Sequence, residues 1–190
     1  MNFQELFEQV VPEETRQKIV LFCKVFSVND FQCWLVGGAV RDILSGKEPK
    51  DFDFATDMPL ETIKKSFKKV ISTGEDHGTL TVLIDDQQFE VTQFRKDVET
   101  DGRRATVEFA STIQEDLSRR DFTINAIAVD PLSGEVVDPF GGMENIENKK
   151  VRFVGNVEDR ILEDHLRALR FVRFIARYCH RDRLFLLCIE

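Results

Sequence analysis

The sequence lacks a long apolar segment. No run of apolar residues approaches the roughly 20 that a membrane helix needs. The first residues also lack the basic region followed by an apolar stretch that is typical of a secretory signal. These two absences predict a cytoplasmic protein that has no membrane partner.

The sequence is also poor in residues that form zinc sites or disulfide frameworks. The cysteines are Cys23, Cys33, Cys179 and Cys188, and the histidines are His77, His165 and His180. No two cysteines have CxxC spacing, and no two histidines have the spacing of metal ligands. We therefore interpret the cysteines as reduced thiols in mostly apolar surroundings.

Positive charge is in the minority. The chain has 26 basic and 34 acidic residues and a net charge of −8, which argues against broad coating of nucleic acid. No DNA partner is expected. Arginines nevertheless cluster at residues 103–104, at residues 119–120 and between residues 160 and 183. Local basic sites in an acidic protein favour the binding of nucleotide phosphates.

The remaining composition is that of a folded protein. Its 190 residues, 42% of them hydrophobic, suffice for one domain with a core and the start of a second. Helical spacing predicts helices at residues 3–28 (broken near Pro12), 39–44, 59–69 and 156–177. Alternating or short apolar runs predict strands at residues 32–36, 51–54, 79–84, 88–94, 126–130 and 136–138. Residues 96–106 are polar, which predicts a loop, and the mixture predicts an α/β (α+β) fold with a mixed sheet.

The strongest motif is LVGGAVRD at residues 35–42, followed by DFDFAT at residues 51–56. Asp51 and Asp53 are two residues apart in a strand pattern, so we expect both side chains on one face. Two adjacent carboxylates repel each other unless a cation lies between them, and Mg²⁺ prefers oxygen ligands. The Gly37–Gly38 turn lets backbone N–H groups approach a phosphate, and Arg41 can add a bidentate contact. Each part alone is often a solvent face or a simple turn, but their order points to chemistry.

A third carboxylate is expected for two-metal phosphoryl transfer. Glu90 lies in FEVT at residues 89–92, where its apolar neighbours would face the core and Glu90 would face away. The alternative is a solvated strand residue. We interpret Glu90 as a catalytic candidate beside Asp51 and Asp53.

A second motif, RRDFTINA at residues 119–126, combines a basic pair with a short polar segment. Arg120 can hold a triphosphate and Asn125 can contact a sugar. A basic pair before a helix or strand is usually a solvated face, so this segment alone would not indicate a site.

A third motif, EDHLRALRFVRF at residues 163–174, has the spacing of an amphipathic helix. Asp164, Arg167 and Arg170 recur every three residues and are expected along one helix side. A second, apolar stripe contains Leu162, Leu166, Leu169, Val172 and Ala176. One interpretation is a helix with intrahelical ion pairs. The other is that Asp164 and Arg167 bind the edge of a base while Arg170 and Arg173 place positive charge near phosphates.

Two further motifs are FEVTQFR at residues 89–95 and DPFGG at residues 138–142. Together the motifs resemble those of the class II CCA-adding enzyme and bacterial poly(A) polymerase family, and they follow one another in the same order as in that family. The resemblance covers residues 34–177. It implies a polymerase-β-like nucleotidyltransferase head with a mixed sheet and flanking helices, followed by helical domains. Residues 1–150 would then be the head, and residues 151–190 the truncated start of a helical neck.

The resemblance also implies roles for individual residues. The expected ligands of Mg²⁺ are Asp51 and Asp53, with Glu90 as the third acid. The expected nucleotide contacts are Gly38, Arg41 and Arg120. The expected base-selecting residues, which act without a nucleic-acid template, are Asp164 and Arg167, with Arg170 and Arg173 completing the pocket.

The implied reaction transfers CMP or AMP from CTP or ATP to the 3′-hydroxyl of RNA, foremost the tRNA 3′ end. Two alternatives stay open: a poly(A) polymerase acting on other RNA, and a catalytically incomplete fragment that only binds nucleotide or RNA. The sequence departs from the family where Ala105 follows Arg103 and Arg104, a place where the family often has proline. Residues 178–190 also do not resemble the family's continuation.

Overall fold

The computed structural model describes residues 2–74, 78–100 and 105–178. Within these ranges the helices are α1 (Phe3–Val10), α2 (Glu13–Ser27), α3 (Gly38–Leu44), α4 (Leu60–Ser66), α5 (Ile113–Ser118), α6 (Gly142–Glu147), α7 (Val157–Glu163) and α8 (Leu166–Tyr178). The strands are β1 (Cys33–Val36), β2 (Asp53–Thr56), β3 (Val70–Gly74), β4 (Thr79–Ile84), β5 (Gln87–Gln93), β6 (Arg95–Thr100), β7 (Ala105–Phe109), β8 (Ala128–Val129) and β9 (Val136–Val137). A short 3₁₀ turn, Thr123–Asn125, lies between α5 and β8.

Seven strands form one mixed sheet in the order β3-β4-β5-β2-β1-β8-β9. The pair β2–β5 is parallel, and the other neighbours in this sheet are antiparallel. Strands β6 and β7 form a separate two-stranded hairpin. The prediction of a mixed sheet with flanking helices is therefore confirmed.

Apolar cores cover both faces of the main sheet. Leu35 and Phe54 belong to a core that α1, α2 and α3 close, whereas Trp34 and Ala55 belong to a core that α5 closes. Successive residues of a strand face opposite sides, so a strand covered on both faces is buried throughout. This explains why β1 is a continuous apolar run.

A cluster of phenylalanines fixes the face on which the acids of β2 and β5 lie. The ring centroids of Phe22, Phe54 and Phe89 are 4.7–5.7 Å apart. Burying these rings stabilises one side of the two strands. Because side chains alternate along a strand, Asp53 and Glu90 must face the opposite side.

A third core joins α8 to the segment between α5 and β8. The ring of Phe122 lies 4.9 Å from that of Phe153 and 5.1 Å from that of Phe174. This core spans the expected boundary at residue 150, and the division into 1–150 and 151–190 stays a prediction.

Two local predictions around the sheet are wrong. The helix expected at residues 59–69 ends at Ser66, and β3 follows it because residues 70–74 pair with β4 at the sheet edge. The loop expected at residues 96–106 is largely the β6–β7 hairpin, in which backbone pairing holds polar residues in strands. Arg103 and Arg104 lie outside the described residues.

The long C-terminal helix is also interrupted. Asp164 is extended, with φ −155° and ψ 105°, and separates α7 from α8. Its Oδ1 accepts a hydrogen bond from the backbone N–H of Leu166 at 2.9 Å, which caps α8. The prediction that Asp164, Arg167 and Arg170 lie on one continuous helix is therefore wrong. The apolar stripe is exposed to solvent, from 64% at Leu166 and Val172 to 66% at Leu162 and 69% at Leu169.

The remaining sequence features have simple outcomes. Cys23 and Cys33 are buried free thiols, and His165 is exposed. The other cysteines and histidines, Cys179, Cys188, His77 and His180, lie outside the described residues. No helix in the described part of the chain is both long and apolar enough to cross a membrane.

The DPFGG motif is a structural connection. The carboxylate of Asp138 accepts hydrogen bonds from the N–H groups of Gly142 (2.7 Å) and Met143 (2.9 Å), which caps α6. Gly141 has φ 66°. A Cβ at Gly142 would lie 2.2 Å from the carbonyl oxygen of Thr123. The two glycines therefore meet different requirements, one of conformation and one of close approach.

We predict that Gly142→Ala destabilises the protein more than Gly141→Ala does. Gly141→Ala places a Cβ in open space and carries only the strain of positive φ, about 1 kcal/mol. Gly142→Ala forces two backbone segments apart, which costs about 2–3 kcal/mol or more. Urea unfolding of both variants gives the comparison. An equal loss for the two variants, or a larger loss for Gly141→Ala, would contradict the prediction.

Candidate functional site

The site begins at the turn between β1 and α3. Gly37 has φ 67°, in the left-handed region that glycine adopts without strain. A Cβ at Gly37 would lie 3.1 Å from Nη1 of Arg120 and 3.8 Å from Oδ2 of Asp53. The absence of a side chain therefore lets a guanidinium and a carboxylate both lie close to the turn.

Asp53 and Glu90 lie side by side. They are register partners in the parallel pair β2–β5, and both line the same cleft. Burial raises the pKa of Asp53 above its usual range, and the nearby charges of Glu90 and Asp51 raise it further. Arg120 and Arg41 oppose this shift without cancelling it. The pair is a concentration of negative charge that a cation would stabilise.

Asp51 differs from the expectation based on strand alternation. Strand β2 begins at Asp53, so Asp51 precedes it and is exposed. Asp51 does not line the cleft but lines a smaller cavity of about 240 Å³, which Glu90 also lines. Its negative charge still acts on Asp53. Asp51 thus lies near Asp53 and Glu90 but is not part of strand β2.

The carboxylates fit a hard cation chemically but are not arranged around one. Within the described residues, no three Asp, Glu, His or Cys side chains form a cluster that could hold a metal ion. Asp53 and Glu90 offer the oxygen ligands that Mg²⁺ prefers. Burial and the charges of Glu90 and Asp51 raise the pKa of Asp53, and a bound cation would oppose this shift.

A buried carboxylate that the sequence analysis did not single out holds Arg120 in place. Asp116 on α5 is 1% exposed and accepts hydrogen bonds from Arg119 Nη2 at 2.8 Å and Arg120 Nη2 at 2.9 Å. Its Oδ1 also accepts the backbone N–H of Arg95 at 3.2 Å. Burial alone would raise the pKa of Asp116, but Arg120 and Arg119 outweigh it, and the pKa is lowered. Asp116 is therefore a charged anchor for two arginines.

Arg41 and Asn125 belong to one hydrogen-bonded network. Arg41 Nη1 donates to Asn125 Oδ1 at 2.6 Å, and Arg41 Nη2 pairs with Asp42 Oδ1 at 2.9 Å. Asn125 Nδ2 donates to Asp121 Oδ1 at 3.2 Å. Both ends of the Asn125 amide therefore have protein partners, and Asn125 positions Arg41.

The site is a cleft of about 530 Å³. The candidates from the sequence that line it are Gly37, Gly38, Arg41, Asp53, Glu90, Arg120, Asn125, Asp164, Arg167 and Arg170. Two other candidates, Asp51 and Arg173, do not. Arg173 is exposed, and its guanidinium lies 5.4 Å from the ring centroid of Phe174.

The helical segment closes one side of the cleft through ion pairs. Arg170 Nη2 lies 2.6 Å from Oδ2 of the buried Asp121. Arg167 Nη1 donates to Glu163 Oε2 at 2.5 Å, and Arg160 Nη1 donates to the same oxygen at 3.0 Å. Burial raises the pKa of Glu163, but these hydrogen bonds lower it overall. Arg167 and Arg170 are thus held at the cleft wall by acidic partners.

Sequence reasoning missed several residues that line the cleft: Arg95, Arg119, Thr79, Thr92 and Asp121. Asp116 had a usable signal because it precedes Arg119 and Arg120 by three and four residues on a helix. Thr79 and Thr92 had none, since their hydroxyls meet at 2.9 Å only when β4 and β5 pair.

Comparison with known proteins identifies the family. The model of the poly A polymerase head domain matches residues 33–152. The mitochondrial CCA tRNA nucleotidyltransferase 1 of Danio rerio is 46% identical over 164 residues, which are 84% of this chain and 38% of that protein. The chain spans 38–41% of the length of the first three such relatives.

Solved structures agree with this assignment. The Bacillus stearothermophilus CCA-adding enzyme in complex with CTP superposes with a TM-score of 0.77 at 40% identity, over 84% of this chain and 38% of that one. A CCA-adding enzyme in complex with ATP superposes with a TM-score of 0.78 at 26% identity, over 95% of this chain and 43% of that one. The chain therefore belongs to the poly A polymerase head domain family.

Proposed function

We propose that this chain transfers CMP or AMP from CTP or ATP to the 3′-hydroxyl of RNA, with the 3′ end of tRNA as the acceptor. The 3′ oxygen forms a bond to the α-phosphorus, the bond from that phosphorus to the β-phosphate oxygen breaks, and pyrophosphate leaves. The relatives include CCA tRNA nucleotidyltransferases and CCA-adding enzymes, and the solved structures include complexes with CTP and with ATP. A cytoplasmic location stays a prediction, because vertebrate relatives are named as mitochondrial.

The observation that carries the proposal is the charge arrangement of the cleft. Two carboxylates stand in register at one wall, beside a glycine turn, and several arginines line the rest. Arginine guanidinium groups bind phosphate oxygens with paired hydrogen bonds. A pure phosphate-binding pocket has no use for the half-buried carboxylate of Asp53, which repels phosphate. The combination suits a reaction that needs both a polyphosphate and a cation.

We assign the nucleotide phosphates to Arg120 and the Gly37–Gly38 turn. Arg120 reaches over this turn and is held from behind by Asp116. Asn125 then acts as a positioning residue for Arg41 rather than as a sugar ligand. A fixed guanidinium loses little freedom on binding, which lets binding energy position the reacting phosphate.

We assign the divalent cation, Mg²⁺, to Asp53 and Asp51, with Glu90 as the third acid. When bound, the ion neutralises charge on the phosphates and lowers the pKa of the attacking hydroxyl. The proximity of the three charges supports this assignment, since Glu90 and Asp51 both act on the carboxylate of Asp53.

We assign recognition of the base to Asp164 and Arg167 at the start of α8. Oδ1 of Asp164 caps α8, which leaves Oδ2 as an acceptor, while Arg167 is oriented by Glu163. An acceptor and a donor fixed at one helix end can pair with the edge of a base without a template strand. Arg170 completes this wall, and Arg173 would join only if its exposed side chain turned towards the cleft.

The test is incorporation of radiolabelled CTP and ATP, offered separately and together with Mg²⁺, into tRNA that lacks its CCA end. Addition of one to three nucleotides is the expected result. A long homopolymer would instead favour a poly(A) polymerase. Binding of Mg²⁺-ATP in calorimetry, with no transfer to any RNA, would contradict the proposal and indicate a module that only binds nucleotide.

We predict that Asp53→Asn strongly slows transfer but does not unfold the protein. Loss of this carboxylate lowers the transfer rate by about 100-fold or more. The melting temperature without divalent cation rises, because the neutral amide removes charge repulsion with Glu90. MgCl₂ raises the melting temperature of the parent but not that of the variant.

Glu48→Gln is the matched control for this prediction. Glu48 is exposed and lines none of the cavities described above, so the same change of charge leaves transfer and the MgCl₂ effect intact. Full activity of Asp53→Asn would disprove the assignment of Asp53.

We predict that Asp116→Asn weakens nucleotide binding about tenfold, because both arginines lose their charged partner and the amide nitrogen can no longer accept a hydrogen bond from one of them. Calorimetric titration with ATP measures this. Thr112→Ala is the control: it removes the N-cap of α5, destabilises the protein by about 1 kcal/mol, and leaves ATP affinity unchanged. Equal affinity losses in both variants would mean that general loosening of α5 is responsible.

The stability contribution of Asp116 depends on pH in a defined direction. Its folded pKa is lowered, so the contribution is fully present above the unfolded pKa of about 4 and is lost as pH falls through the folded value. The stability difference between parent and Asp116→Asn is therefore constant from pH 5 to 8 and shrinks in stronger acid.

A further inference from the structure

A second cavity lies next to the cleft and is rich in positive charge. It has a volume of about 410 Å³, and Arg41 lines both cavities. Its basic lining residues are Arg41, Lys47, Lys149, Lys150 and Arg177, and one acid, Glu147, also lines it. In the described part of the chain, Lys47, Lys149 and Lys150 form no ion pair. In a protein of net charge −8, this lysine cavity is a local exception.

An aromatic ring forms one wall of the lysine cavity. Tyr178 stacks on Phe174 with 5.6 Å between ring centroids and an interplanar angle of 19°. Its hydroxyl donates a hydrogen bond to Asp42 Oδ1 at 3.2 Å. Lys47 Nζ lies 5.6 Å and the Arg41 guanidinium 4.8 Å from the centroid of the Tyr178 ring. Because Phe174 lines the cleft and Tyr178 the lysine cavity, the two sites are neighbours along α8.

Lys149 has an unfavourable backbone conformation. It follows α6 with φ 53°, the left-handed region that favours glycine. The N–H of Lys149 donates a hydrogen bond to the carbonyl oxygen of Ile146 at 3.1 Å. The N–H of Lys150 donates to the carbonyl oxygen of Asn145 at 2.8 Å. This is the Schellman pattern, in which the left-handed residue is usually glycine. A lysine at this left-handed position lowers the stability of the fold relative to glycine. Strained backbone positions of this kind concentrate at functional sites.

We propose that the lysine cavity binds the phosphodiester backbone of the RNA acceptor, just upstream of the 3′ nucleotide that enters the cleft. This inference rests on the proposed function. Unpaired lysines supply the sequence-independent attraction that phosphates require. The half-buried ring of Tyr178, which lines the same cavity, can contact a base of single-stranded RNA. The shared Arg41 gives an acceptor strand a continuous basic path out of the cleft.

The test compares RNA binding by the parent and by a variant with Lys47→Gln, Lys149→Gln and Lys150→Gln. The probe is a tRNA transcript that lacks its CCA end, titrated at several KCl concentrations. We expect the affinity to fall about 10- to 100-fold. We also expect the slope of log affinity against log salt to become shallower by about 2, since each lost single-stranded phosphate contact removes about 0.7. ATP affinity stays within twofold of the parent.

The matched control carries Lys24→Gln, Lys65→Gln and Lys68→Gln. These lysines are exposed, line neither cavity, and change the net charge by the same amount. Equal weakening of RNA binding in both triple variants, or an unchanged salt slope in the first, overturns the proposal. An equal loss of ATP affinity would also overturn it, because the lysine cavity would then belong to the nucleotide.

Lys149→Gly separates function from structure at one position. Glycine relieves the positive φ, so we expect the melting temperature to rise by about 2–4 °C. We expect RNA affinity to fall about threefold in the same variant. Higher stability with unchanged RNA affinity would remove Lys149 from the proposed surface.

Nucleotide transfer by the parent to the same tRNA is measured in parallel. Absence of transfer by the parent contradicts the proposed function but leaves the binding comparison readable. Transfer by the parent, with RNA binding unchanged in the triple lysine variant, contradicts only the inference about the lysine cavity.

Discussion

The parallel pairing of β2 with β5 sets the electrostatics of the whole site. Its register places Asp53 beside Glu90, while Phe54 and Phe89 on the same strands are buried in the core. Rotating either acid away would expose a phenylalanine, so the carboxylates cannot separate without loss of the core. Their repulsion must be offset by positive charge from other elements. Arg120 and Arg41 supply part of it.

Arg120 and Arg41 in turn require partners, so a network of charged and polar side chains surrounds the two carboxylates. Asp116 holds Arg120, Asn125 holds Arg41, and Asp121 holds both Asn125 and Arg170. Every member of this network has a partner of opposite charge or polarity, which keeps the partly buried charges tolerable. The second glycine motif serves the same arrangement, since Gly142 lets α6 approach the turn that carries Asn125.

Much of this was accessible from sequence because it depends on local pattern. Alternation predicted Phe54 inside and Glu90 facing away from its apolar neighbours, and the Gly37–Gly38 pair predicted a tight turn. What failed depends on pairing between distant segments. Strand β6 is mostly polar in sequence and is held by backbone pairing with β7, and the break at Asp164 arises from a cap that competes with continued helix. Asp51 was misplaced because strand alternation was extended two residues beyond the start of β2.

Arg41 is a wall residue of two cavities at once. Its guanidinium already serves Asn125 and Asp42, so a ligand in either cavity competes for the same few remaining donors. Such sharing makes the two occupancies thermodynamically linked. If a ligand in one cavity changes the affinity of the other cavity by some factor, then the ligand of that other cavity changes the affinity of the first by the same factor. A single buried side chain thereby couples two sites without any rearrangement of the fold.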